Sequence, residues 1–221
     1  MQVVIHAVPQ RMWYVEEFLL PELRRQGADR VEIWNDTRGR GNLLACMDCL
    51  AAREGEGGTW HIQDDVLLCS DFVERCRAND AGVVYGFCCE YFLDDPELTG
   101  TVYPPDAWNS FQCVRIPDPW ARECAAWFFS GAWRDTPFPE LFAQEAKGTG
   151  DDRFFHEFLE VRHGDAAAVN LAPNLVEHVD LLIGGSVLHQ WREYLARAHY
   201  WAEPELTEAL REQLRRRAKT H

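Results

Sequence analysis

The sequence contains no run of about 18 consecutive apolar residues, the length a membrane-spanning helix needs, so no membrane span is expected. Its N-terminus, Met1-Gln2-Val3-Val4-Ile5, lacks the basic start and long apolar stretch of a secretory signal, and the chain is expected to be cytoplasmic. Positive charge is scarce: 22 Lys and Arg stand against 36 Asp and Glu, a net charge of -14. No non-specific binding to nucleic acid is therefore expected. A phosphate-bearing ligand would need local help from a metal or a few placed arginines. Repeats and low-complexity tracts are also missing. The 8 cysteines, including the adjacent Cys88 and Cys89, have no disulfide-framework spacing and read as reduced core thiols. Cys46-x-x-Cys49 has no second Cys-x-x-Cys or paired histidine beside it. Leu43, Leu44, Cys46, Met47 and Leu50 fit the buried stripe of a helix, with half of a zinc or redox motif as the alternative.

What is present is an alternation of strands and helices. Val3 to Ile5 form a short apolar run that ends at His6-Ala7-Val8-Pro9. Met12, Val15, Leu19 and Leu23 then recur at helical spacing, with Gly27 as a left-handed stop and Pro21 as a source of a kink. Arg30 to Asp36 alternates as a strand and runs into the turn-rich Asn35-Asp36-Thr37-Arg38-Gly39. Thr59 to Gln63 is a third strand, Val83 to Phe87 a fourth, Gln112 to Ile116 a fifth and Ala166 to Leu171 a sixth. Helices are expected after Ser70, after Asp118-Pro119 and around Phe154, Phe155, Phe158 and Leu159. Trp120, Trp127, Phe128 and Phe129 suit a core better than a stacking platform. Asp94 to Trp108 is a proline- and acid-rich loop, a candidate lid. Parallel neighbours need crossover connections, so this order predicts an α/β fold with a mostly parallel central sheet flanked by helices. One domain over residues 1–202 and a helical tail over 203–221, with Leu206, Leu210 and Leu214 on one face, complete the reading.

Ligands in such sheets lie beyond the strand C-termini. Three strand ends carry polar groups: Pro9-Gln10-Arg11, Asn35-Asp36 and Asp64-Asp65. Adjacent buried acids repel and lose hydration, so they persist where a cation, a helix start or a shared proton offsets that cost. An acidic turn capping its own backbone is the plainer alternative. Asp151 and Asp152 begin a helix, where the dipole and free amides favour a carboxylate. They read either as a cap, with Thr149 and Asp152 as a capping box, or as one cap and one general base.

The ordered set Pro9-x-Arg11, Asn35-Asp36, Gln63-Asp64-Asp65-Val66 and Pro173-x-Leu175-Val176-x-His178 resembles glycosyltransferases of the GT-A type, the nucleotide-diphospho-sugar transferases. The likeness runs to about Trp191. It implies a single GT-A-like, Rossmann-like domain and a metal-dependent transferase. The enzyme would move a sugar from a nucleotide-sugar donor, a UDP-sugar by resemblance, to a hydroxyl of an acceptor the sequence does not name. By the same resemblance, Asp65 and His178 would hold manganese or magnesium. Pro9, Arg11, Asp36, Arg38 and Asp64 would contact the donor. Gly150-Asp151-Asp152 resembles the acidic helix start that supplies the base in inverting members. Gln63 stands where an acid is often found. The rival readings are a metal-dependent phosphoesterase and a non-catalytic nucleotide- or sugar-binding protein on the same scaffold.

Overall fold

The computed structural model describes residues 1–87, 111–164, 168–171, 174–184 and 208–219. Cys88 and Cys89, the loop over Asp94 to Trp108, Pro173, Trp191 and the boundary at 202–203 lie outside the described residues.

β1 (Gln2–Ala7) sits inside the sheet because Val3, Val4 and Ile5 are apolar on both faces and all are buried. It pairs in parallel with β2 (Arg30–Asn35) on one side and β3 (Gly58–Gln63) on the other. Beyond β3 comes β6 (Cys113–Pro117), antiparallel to it, then β5 (Val83–Tyr85) and β7 (Ala168–Asn170), which pair in parallel with each other. The six-stranded order is thus β2-β1-β3-β6-β5-β7, with β6 alone reversed. Of the sixth expected strand, residues 168–171 are described. Two three-residue strands that the sequence reading did not anticipate, β4 (Val66–Leu68) and β8 (Val176–His178), make a separate antiparallel ribbon.

The sheet carries one core on each face. Val3 and Ile5 from β1 and Trp60 and Ile62 from β3 alternate into the first, with Tyr14, Leu19, Leu23, Phe72 and Val73. Val114 and Ile116 enter the second, with Leu43, Met47, Trp127, Phe128, Phe154, Phe155 and Phe158. Trp127 and Phe128 are core residues as expected, whereas Phe129 is 51% exposed.

The helical segment after β1 runs through a 3-10 turn (Pro9–Arg11), α1 (Met12–Tyr14), a π turn (Val15–Leu19) and α2 (Leu20–Arg25). Pro21 has no N–H, and its ring would collide with the carbonyl of Glu17 in a regular helix. The π turn directly before it is the form the expected kink takes. Gly27 closes the segment at φ 82°, as the sequence implies. α3 (Asn42–Ala51) buries Leu43, Ala45, Cys46, Met47, Cys49 and Leu50; of the predicted stripe Leu44 is only partly buried, while Ala45 and Cys49 join it.

Three helix starts differ from expectation. Asp71, not Ser70, precedes α4 (Phe72–Ala78), and its carboxylate accepts from Arg75 Nε at 2.8 Å instead of capping. α5 (Asp118–Ser130) starts one residue early, after Pro117. Asp118 accepts from Thr59 Oγ1 at 2.7 Å and so ties the helix to β3. Gly150, at φ 82°, occupies the N-cap position before α7 (Asp151–His163), so neither acid stands there. Thr149 donates to Gln144 Oε1 at 2.8 Å, at the end of α6 (Glu140–Lys147), so no capping box forms. α8 (Glu208–Ala218) lies on the domain: Leu214 is buried in the first core, and Arg217 pairs with Glu17.

Candidate functional site at the strand ends

The site is built where β1 and β3 stop. Asp64 donates its backbone N–H to the His6 carbonyl at 3.0 Å, which extends the β1–β3 ladder by one bond and then turns the chain. β4 follows at once and pairs with β8 so that Val66 faces His178. Val179 donates to the Asp65 carbonyl at 2.8 Å, and Tyr14 reaches from α1 to donate to the Val66 carbonyl at 2.8 Å. This ribbon brings Asp65 and His178 together across more than half of the chain.

Arg11, in the first turn after β1, lies under both acids. Its Nη2 is 2.7 Å from Asp64 Oδ1, and its Nη1 donates to Asp65 Oδ2 at 2.7 Å. Asp64 Oδ2 accepts from the Val8 N–H at 2.7 Å, so both oxygens of Asp64 are engaged within the protein. His178 Nε2 stands 3.4 Å from Asp65 Oδ2 and 3.8 Å from Asp180 Oδ2. These residues are all at least nine-tenths buried.

Burial sets the electrostatics. It raises the Asp64 carboxyl above the ordinary range against the pull of Arg11. Burial acts on Asp65 in the same direction, but Arg11 and His178 more than reverse it and hold that carboxyl low. For His178 burial favours the neutral ring, yet Asp65 and then Asp180 leave its pKa above the usual imidazole value. Arg11 and the His178 ring both lie against Asp65 and offset its charge.

Asp151 lies close by, 3% exposed, at the start of α7. It accepts from Asn42 Nδ2 through one oxygen and from Gln63 Nε2 at 3.3 Å through the other. The helix start was expected to keep this carboxyl ionised. Instead burial, reinforced by Asp152, pushes it up to about 8, outweighing the amides that favour the anion. Asp152 is partly buried and accepts from the Arg153 N–H at 2.8 Å. Asp36 is buried beside the end of β1, its N–H donating to the Ala7 carbonyl at 2.9 Å. Pro9 and Arg38 are exposed at the same end of the sheet, and neither belongs to the Arg11–Asp65–His178 cluster.

Sequence reasoning passed over Tyr14, Asn42 and Asp180. Asp180 had a visible signal, the spacing His178-x-Asp180; Tyr14 and Asn42 had none beyond their positions near strand and loop ends.

Asp65 Oδ1 and His178 Nδ1 are buried without a hydrogen-bond partner. Asp65 Oδ1 is an unengaged hard oxygen donor of the kind magnesium or manganese takes, and the His178 ring lies beside the same carboxylate. Asp65 and His178 are the residues that would hold such an ion, while both oxygens of Asp64 are already engaged within the protein.

No family model matches the chain, and no curated protein matches it. Solved structures do. TarS 1–349 from S. aureus is similar at a TM-score of 0.51 and 11% identity, with 97% of this chain and 69% of that one covered. The inositol-1-phosphate CTP transferase from T. maritima is similar at a TM-score of 0.45 and 10% identity, with 99% and 96% covered. The likeness to TarS shows the fold, a Rossmann-like α/β domain with a mostly parallel central sheet flanked by helices.

Proposed function

We propose that the chain is a metal-dependent glycosyltransferase that moves a sugar from a nucleotide-diphosphate donor, a UDP-sugar, to an acceptor hydroxyl with inversion. The observation that carries this reading is the buried assembly of Arg11, Asp65, His178 and Asp180 at the strand ends, with Asp65 Oδ1 unengaged. Asp65 and His178 would hold the divalent cation. When bound, it supplies Lewis-acid stabilisation of the charge on the leaving diphosphate. Asp36 accepts hydrogen bonds from the base or ribose, and Arg38 adds a charge-assisted contact to the phosphates. Arg11 keeps the Asp64–Asp65 turn in place. Asp151 takes the proton from the attacking hydroxyl, since its raised pKa makes it a stronger base than an ordinary aspartate.

A second reading, a non-catalytic nucleotide or sugar binder, draws on Gln63, which stands where the resembled family often has an acid and whose amide faces Asp151. A phosphoesterase has less support: among the described residues, no group of three His, Cys, Asp or Glu ligands gathers at Asp65. Calorimetry with UDP tests the main reading. Binding should tighten with manganese, and Asp65→Asn should abolish that gain. A manganese response unchanged in the variant refutes the metal assignment, and complete absence of slow donor hydrolysis favours the binder.

A further inference from the structure

His6 on β1, His61 on β3 and Cys46 on α3 meet beneath the sheet face opposite Trp60 and Ile62. One ligand-capable atom from each lies within 4.8 Å of the others. None of the three side chains is more than 5% exposed. The arrangement follows from periodicity. β1 and β3 are adjacent and parallel, so residues that alternate away from the first core share the opposite face, which α3 covers with its cysteine-bearing stripe. The two imidazoles touch edge to face at 5.5 Å.

The cluster is not a satisfied polar network. Arg53 Nη2 approaches His61 Nδ1 at 3.2 Å, and Cys49 Sγ lies 4.0 Å from the same nitrogen. A guanidinium only donates, so Nδ1 is the acceptor and Nε2 carries the ring proton. That Nε2 is buried and has no partner, and neither has Arg53 Nη1. A buried ring nitrogen without a partner, in an imidazole that lies beside a thiol and a second imidazole, calls for an explanation.

We propose that His6, Cys46 and His61 form a binding site for a transition-metal ion of the zinc class, with Cys49 as the nearest further sulfur. Two imidazoles and a thiolate suit zinc and its neighbours, not magnesium, which sets this site apart in chemistry from Asp65 and His178. Binding displaces the Cys46 thiol proton to solvent and moves the His61 proton from Nε2 to Nδ1. Arg53 then has to withdraw, and the Cys49 sulfur accepts the new Nδ1–H or joins the ion as a second thiolate. Two thiolates would neutralise a divalent ion in this dry setting. A cavity lined by Val4, Cys49 and Arg53 reaches the two residues that adjoin His61. The ion would be structural. It would fasten α3 to β1 and β3, and the His6 carbonyl holds the Asp64 N–H, so it would also steady the Asp64–Asp65 turn.

The test is a cobalt titration of the full chain, purified under reducing conditions and stripped with a chelator. One equivalent should bind, with tetrahedral visible bands and a thiolate-to-cobalt charge-transfer band. Zinc should displace it and raise the melting temperature. Cys46→Ser and His61→Gln should each weaken binding by at least about tenfold. Cys69→Ser, equally buried but in the other core, and Asp65→Asn should keep the charge-transfer band. If Cys46→Ser does not fold, the wild-type titration and His61→Gln decide. A folded wild type that takes up no cobalt, a spectrum without the thiolate band, or wild-type affinity in either ligand variant overturns the proposal.

Discussion

Gln63 donates its side-chain amide to Asp151 at 3.3 Å, joining the last residue of β3 to the first of α7. The residue that departs from the acidic motif is therefore a partner of the candidate base. An acid at position 63 would set two carboxylates together where burial already resists the charge on one. Gln63→Glu should lower the melting temperature more at pH 8 than at pH 5, because the paired acids must lose their shared proton as pH rises. Equal losses at both pH values would show that the two side chains are not coupled.

Arg11 is the only cation that the described structure places on Asp64 and Asp65 together. Breaking a buried pair by removing one partner typically costs about 3–5 kcal/mol, because a charge is left uncompensated. Arg11→Met should show a loss of that order in urea unfolding at pH 7. The loss should shrink toward pH 5 as Asp64, whose carboxyl burial holds high, takes up a proton. A loss below about 1 kcal/mol, the scale of an exposed pair, would show that Arg11 does not neutralise the two acids.

The sheet was legible because its strands are short apolar runs bounded by turn residues: Val3 to Ile5, Trp60 to Ile62 and Val83 to Tyr85 need only periodicity to place them. The Asp64–Asp65 turn was legible as an unusual charge at the mouth of such a strand. The ribbon of β4 and β8 was not, since three residues carry no period and their pairing is set by contacts more than a hundred residues apart. Asp151 was visible, but its ionisation was misjudged because the helix start is local and its burial is not. Cys46 was seen as an isolated pair with Cys49; His6 and His61 reach it only once β1 and β3 lie side by side.

The cysteines should be reduced. The six described ones are free and buried, and burial lifts their thiols, Cys49 to about 11 and Cys69 to about 12. A thiol held protonated is slow to oxidise or alkylate. Alkylation of fresh protein should be slow in native buffer and should reach all 8 thiols in denaturant. Disulfide-linked peptides by mass spectrometry would contradict this.

Asp151 gives the sharpest pH dependence. Its carboxyl is pushed up to about 8 by burial and by Asp152, while an unfolded aspartate titrates at about 3.9. Between those values the folded chain holds a proton that the unfolded chain has lost, so stability falls as pH rises across the window. Asp151→Asn removes the titration and keeps an oxygen for Asn42. Its melting temperature relative to wild type should rise steadily from pH 5 to pH 8. The rate should respond in the opposite sense: only the ionised carboxylate can take a proton, so wild-type transfer should climb through the same window. Loss of a general base typically lowers the rate about a hundred- to ten-thousand-fold. Asp152→Asn, which removes a neighbouring charge, should bring the rise in activity to lower pH. If Asp151→Asn transfers sugar at near wild-type rate, or the product keeps the donor's anomeric configuration, Asp151 is not the base. If the stability difference does not change with pH, its carboxyl is ionised in the native state.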